Sequence, residues 1–86
     1  MHSGSIYGNT AAARVYRVLK ELDGDWIGGW ELGQVAKTNA VSTRVSEVRR
    51  QLPPGESIPR PMRRGKHFFY RLEKAHGEQL ELQGVA

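Results

Sequence analysis

Residues 38–52 read TNAVSTRVSEVRRQL. At helical spacing Val41, Val45, Val48 and Leu52 fall on one narrow stripe, which predicts a helix over 40–51 with a single apolar side. The other side presents Thr43, Ser46, Glu47 and Arg50, flanked by Ser42, Arg44 and Arg49. Pro53 disfavours helical geometry at Leu52, and Pro54-Gly55 suits a type II turn, so the helix stops there. A valine stripe accounts for burial. It leaves open what the hydroxyls and arginines of the outer face are for.

Upstream, the pattern predicts a first helix over 10–22. Asn9 or Thr10 can cap it, its alanines favour helix, Val15, Val18, Leu19 and Leu22 repeat at helical spacing, and Gly24 suits the left-handed position beyond its end. Trp26 and Ile27 fit a brief strand, and Gly28-Gly29 turn the chain into a short helix over 29–36. Leu32, Val35 and Ala36 are that helix's expected buried face. The glycines are no phosphate loop, because no Gly-Lys-Ser/Thr follows. The tight connection KTNA comes next, where Thr38 or Asn39 can cap the third helix.

Downstream, ESIPR, PMRRGK and HFFYRL read as strand, loop and strand. Pro59 and Pro61 confine the first strand to an edge or a short pairing. Alternation puts Phe68, Tyr70 and Leu72 on the core face of the second strand, and His67, Phe69 and Arg71 on the other, where Arg71 needs solvent or a partner. Residues 1–8 are expected to be a loose lead-in, 9–72 the domain, and 73–86 an acidic tail whose Leu80 and Leu82 offer at most a short pairing strand.

With 86 residues the chain has room for one small core. The absence of cysteine removes disulfides, thiolate metal sites and a cysteine nucleophile. No apolar run reaches the length of a membrane span, and MHSGSIYGNT lacks the basic and apolar blocks of a signal peptide, so a cytoplasmic protein is expected. Charge is unevenly spread. Residues 1–36 carry a net −1 and residues 72–86 a net −2, whereas residues 37–71 hold nine basic side chains against two acidic, a net +7. One contiguous basic segment is the pattern of a surface that meets a polyanion. The bland alternative is a solvated basic face without a ligand.

A helix, a short strand, a short helix, a tight turn, a third helix and then a hairpin, with TNAVSTRVSEVRRQL running into GESIPRPMRRGKHFFYRL, resembles the winged helix-turn-helix domains of compact phage and bacterial type. The resemblance covers roughly residues 10–72 and rests on a pattern of sizes and charges. The two prolines of the wing and the lack of a glycine in KTNA depart from it. It implies an α+β fold: three helices with a small antiparallel hairpin wing. It also implies a double-stranded DNA-binding protein, a transcriptional regulator or a recombination or replication accessory factor, associated with the nucleoid and needing no cofactor. The third helix would enter the major groove, and the wing would lie on the backbone or in the minor groove. The residues fit those roles. Ser42, Thr43 and Ser46 let a backbone approach base edges, and Arg44, Arg49 and Arg50 can reach guanine or phosphate. Arg60, Arg63, Arg64 and Lys66 crowd the wing, and Lys37, Thr38 and Asn39 line the turn.

Other readings are weaker. Trp26 and Trp30 are expected to pack rather than to stack on bases. Most of Phe68, Phe69 and Tyr70 are needed for the core, with Phe69 the candidate exception. His2, His67 and His76 lack metal-ligand spacing. No paired carboxylates in an apolar setting, nucleophile elbow or His-Glu-x-x-His run points to catalysis, and Glu47 is expected to pair within its helix. Two rivals remain: a winged helix that docks an acidic protein, and a binder of single-stranded nucleic acid or RNA through the hairpin aromatics. A homodimer is compatible with either DNA or protein partners.

Overall fold

The computed structural model of the protein describes residues 5–74, which form a small α+β domain of three helices and short antiparallel strands. The expectations for Leu80, Leu82 and the rest of the tail past Lys74, and for His2 and His76, lie outside the described residues. In chain order the elements are α1 (Ala11–Leu22), β1 (Ile27–Gly28), α2 (Gly29–Ala36), α3 (Val41–Gln51), β2 (Glu56–Ser57), β3 (Met62–Arg64), β4 (His67–Tyr70) and β5 (Glu73–Lys74). One antiparallel sheet has the order β1-β4-β3, and β2 pairs separately with β5.

Of the two cap candidates, Thr10 caps α1, accepting from the Ala13 N–H at 3.0 Å. Asp23 (φ 53°) and then Gly24 (φ 101°) turn the chain through left-handed geometry at the helix end. Val15, Leu19, Leu32, Val45, Val48 and Leu72 are fully buried, so all three helices and the chain after β4 meet in one core. Each such side chain contributes about 1.5–3 kcal/mol on burial. The valine stripe of α3 faces this core as expected, with Val45 and Val48 sealed and Val41 and Leu52 packed at its margins.

Several expectations are corrected. Val35 is 56% exposed, and the buried side chains of α2 are those of Leu32 and Ala36. Neither Thr38 nor Asn39 caps α3; the cap position is Ala40, without a side-chain bond, and Thr38 Oγ1 instead accepts from the Ala40 N–H inside the turn. No glycine is needed in KTNA because Lys37 itself adopts the left-handed conformation (φ 59°). The glycine required by this corner lies earlier, in α2. A Cβ on Gly33 would stand 2.8 Å from the Thr38 carbonyl oxygen and 3.0 Å from Val41 Cγ2.

The hairpin expected as a wing is also built differently. Its first strand is Met62–Arg64, inside the stretch read as loop, and not ESIPR. Arg64 pairs with His67, leaving Gly65-Lys66 as a two-residue turn with Gly65 at φ 61°, the left-handed first position a type II′ hairpin requires. Glu56–Ser57 pairs with β5. The domain thereby extends past both expected boundaries: Glu73–Lys74 forms a strand, and Ile6 is buried, its N–H donating to Gln51 Oε1. Lys74 further reaches Asp23 at 3.5 Å. The turn Pro53–Glu56 closes by a bond from the Glu56 N–H to the Pro53 carbonyl, with Gly55 at φ 90°, as the Pro-Gly pair implied.

Candidate nucleic-acid interface

The outer face of α3 is open. Ser42, Thr43, Ser46 and Arg50 are exposed, while the buried valines hold the opposite side. The two remaining arginines are occupied. Arg44 pairs with Glu47 at 3.0 Å one turn on, both side chains largely shielded, which agrees with the intrahelical role expected of Glu47. Arg49 turns away from the outer face: its Nε–H donates to the Ile58 carbonyl at 3.0 Å, and Nη2 to the Pro59 carbonyl at 3.3 Å. Arg49 is thus a clamp between the last turn of α3 and the segment entering the wing. Arg50 and Arg60, the next residues on either side of that clamp, are both exposed.

The turn is similarly divided. The Thr38 N–H donates to the Gly33 carbonyl at 2.9 Å, and its hydroxyl serves the turn, whereas Lys37 and Asn39 are exposed. Arg14 of α1 secures this corner from below. Its guanidinium donates to the carbonyls of Ala36 (2.8 Å) and Lys37 (3.4 Å), satisfying the bare C-terminal end of α2 with a cation. Arginine-to-carbonyl contacts of this kind leave no mark in sequence, because the acceptor is backbone.

In the wing, Arg63 bends back so that its Nε–H meets the Gly65 carbonyl at 2.9 Å, and its guanidinium lies 5.9 Å from the centre of the Phe68 ring. Arg64 and Lys66 are exposed. Among the described residues, Lys37, Arg50, Arg60, Arg64 and Lys66 have no side-chain hydrogen bond or ion pair. These five cations come from the turn, α3 and the wing.

What links the turn to the wing tip is the start of α2. Trp30 is 76% exposed, contrary to the packing expected of it, and lines two grooves. One, about 530 Å³, runs between the first turn of α2 and the wing and is lined by Trp30, Lys66, His67, Phe68 and Phe69 among others. The other, about 350 Å³, runs between Trp30, Gln34, Thr38, Asn39 and Val41. The aromatic expectations shift accordingly. Phe68 is the exposed ring (47%), Phe69 is half-buried against Gly28, and only Tyr70 is in the core, where burial raises its phenol pKa above the ordinary value. Trp26, 38% exposed, lies under the Arg71 guanidinium at 4.9 Å, and Arg71 also pairs with Glu73, the partner its position called for.

Sequence reasoning missed Trp30 and Gly33. Trp30 was findable, since two residues before Leu32 is about 200° around the helix, almost opposite the buried face. Among the described residues no three His, Asp or Glu side chains gather to hold a metal, and no helix is long and apolar enough to cross a membrane. No protein-family model matches the chain, and neither a curated protein nor a solved structure matches it.

Proposed function

We propose that this chain is a winged helix-turn-helix domain that binds double-stranded DNA, with α3 in the major groove and the β3–β4 wing on the backbone or minor groove. The observation that carries the reading is the division of labour on α3. One side is sealed by valines, while Ser42, Thr43, Ser46 and Arg50 stand exposed on the other, and cations with no partner among the described residues continue into the turn and the wing. Small hydroxyls let the helix approach base edges closely and can donate or accept there. Arg50, Arg60, Arg64, Lys66 and Lys37 supply the phosphate contacts that position it. The order α1, β1, α2, α3 and hairpin, with β1 closing on β4, supports the winged-helix assignment. Arg44, Arg49 and Thr38 support the frame and leave the contact list; Arg63 keeps a place beside the wing tip.

Mobility-shift selection from a random duplex pool tests the reading. Thr43→Ala and Ser46→Ala should change which sequences are retained, while Arg64→Ala with Lys66→Ala should weaken all duplexes alike. Sequence-blind losses from both pairs would leave phosphate contact without base readout. Failure of every duplex to bind at low salt would remove the reading. Retention of an acidic protein from nuclease-treated lysate, with no duplex bound, would instead support the protein-docking rival.

A further inference from the structure

The groove between α2 and the wing holds two exposed rings that the duplex reading does not use, beside a lysine that it does. Trp30 and Phe68, the most exposed large apolar side chains from α2 onward apart from Val35, both line it, and so does Lys66, which has no partner among the described residues. Its volume, about 530 Å³, is in the range of small-molecule sites. Its floor is held closely: a Cβ on Gly29 would stand 3.3 Å from the Tyr70 ring, and one on Gly28 3.4 Å from the Phe69 ring. The backbone at Gly28-Gly29 therefore lies against β4, and Trp30 is carried on a fixed base.

The charges around the groove select its occupant. Lys66 lies in the wall, Arg64 pairs across the hairpin with His67 of the same wall, and the Arg63 guanidinium stands 5.9 Å from the centre of the Phe68 ring. Glu31 is the one acidic side chain in the lining. An apolar peptide would strip water from these cations and give nothing back. A strand that carries flat bases and anionic phosphates satisfies rings and cations together. We infer that this groove seats unpaired nucleobases, with Trp30 and Phe68 as stacking surfaces and Lys66 as the phosphate contact. Bases within a duplex remain stacked on one another, so the occupant is a single strand or a locally opened one. The inference goes beyond the proposed function: it shares the wing with that reading but needs no contact from α3.

The test uses Trp26→Phe protein, so that Trp30 is the remaining tryptophan, titrated with a short oligothymidylate at about 50 mM salt. Trp30 emission should be quenched saturably. Trp30→Ala in the native background should weaken oligothymidylate binding by about tenfold or more, leave the circular dichroism spectrum unchanged and leave duplex binding close to native. Phe68→Ala, another exposed position, should show the same selectivity. Absence of quenching, or equal losses on single strand and duplex, overturns the proposal. So does concentration-dependent self-association that Trp30→Ala abolishes, since a second copy would then cover the groove. If duplex binding fails while the quenching and the Trp30→Ala loss persist, the groove assignment stands and the α3 reading falls.

Discussion

Two adjacent arginines of α3 should respond to the same substitution in opposite ways. Arg49→Gln removes the donors that hold the Ile58 and Pro59 carbonyls, at 3.0 and 3.3 Å, and Ile58 itself is 4% exposed. A hydrogen bond from a charged group contributes about 1.5–3 kcal/mol when shielded, and orphaning a buried acceptor costs about 1–3 kcal/mol. The longer contact is exposed and adds little, and glutamine retains part of the aliphatic stem. The expected destabilisation is therefore about 1.5 kcal/mol, or roughly 6–12 °C in Tm for a domain of this size. Arg50→Gln breaks no hydrogen bond or ion pair among the described residues and should stay within about 0.5 kcal/mol of native stability. In duplex binding the order reverses: Arg50→Gln should reduce the slope of log affinity against log salt by about 0.9, the share of one phosphate, whereas Arg49→Gln should change it little below its own melting point. Urea or thermal melts followed by circular dichroism give the first quantity, and mobility shifts at several salt concentrations the second. Equal stability of the two variants, or a larger loss from Arg50→Gln, would refute the assignment of Arg49 as a clamp.

Two further outcomes follow from the packing and titration of the frame. Gly33→Ala gains helix propensity, about 1 kcal/mol at most, but places a Cβ 2.8 Å from a backbone oxygen that cannot rotate away, so the net effect in a urea melt should be a loss of about 1–2 kcal/mol. A neutral or stabilised variant would contradict the closeness of the α2–α3 corner. Tyr16 has its phenol pKa raised, first by burial and then by its hydrogen bond to Glu56 at 2.7 Å, and burial raises Tyr70 as well. The fold thus favours the neutral phenols. Their contribution is complete below the ordinary phenol pKa of about 10 and is lost as pH rises through the folded values. Melts between about pH 9 and 11 should show stability falling, less steeply in Tyr16→Phe; an unchanged slope in that variant would contradict the burial argument.

The parts of this fold legible in the sequence were those written in side-chain periodicity. Val41, Val45, Val48 and Leu52 repeat at the helical period because one side of α3 meets a core, so the helix, its buried side and its open side could all be read together. The Thr10 cap and the Pro54-Gly55 turn were legible because each type of residue has a specific backbone use. The wing register was not. Met62-Arg63-Arg64 has a loop's composition, and only its pairing with β4 around Gly65-Lys66 makes it a strand. Nor could the six arginines of α3 and the wing be sorted, because Arg44 and Arg49 are distinguished from Arg50 only by what tertiary structure sets beside them. Trp30 is large and apolar, a type that suggests burial, while its phase on α2 points outward; Val35 sits at helical spacing from Leu32, and only the packing of the domain leaves it exposed. Trp30, so placed, lines the groove beside the β3–β4 hairpin.

The most direct test of duplex binding is its salt dependence in native protein and in a variant lacking Arg50, Arg60, Arg64 and Lys66 together. Native affinity should fall by roughly two to three orders of magnitude between about 50 and 200 mM salt, as expected for four or five neutralised phosphates, and the variant should lose most of that dependence. Native binding that ignores salt, or a variant whose slope matches the native one, would contradict a DNA interface made by α3 and the wing.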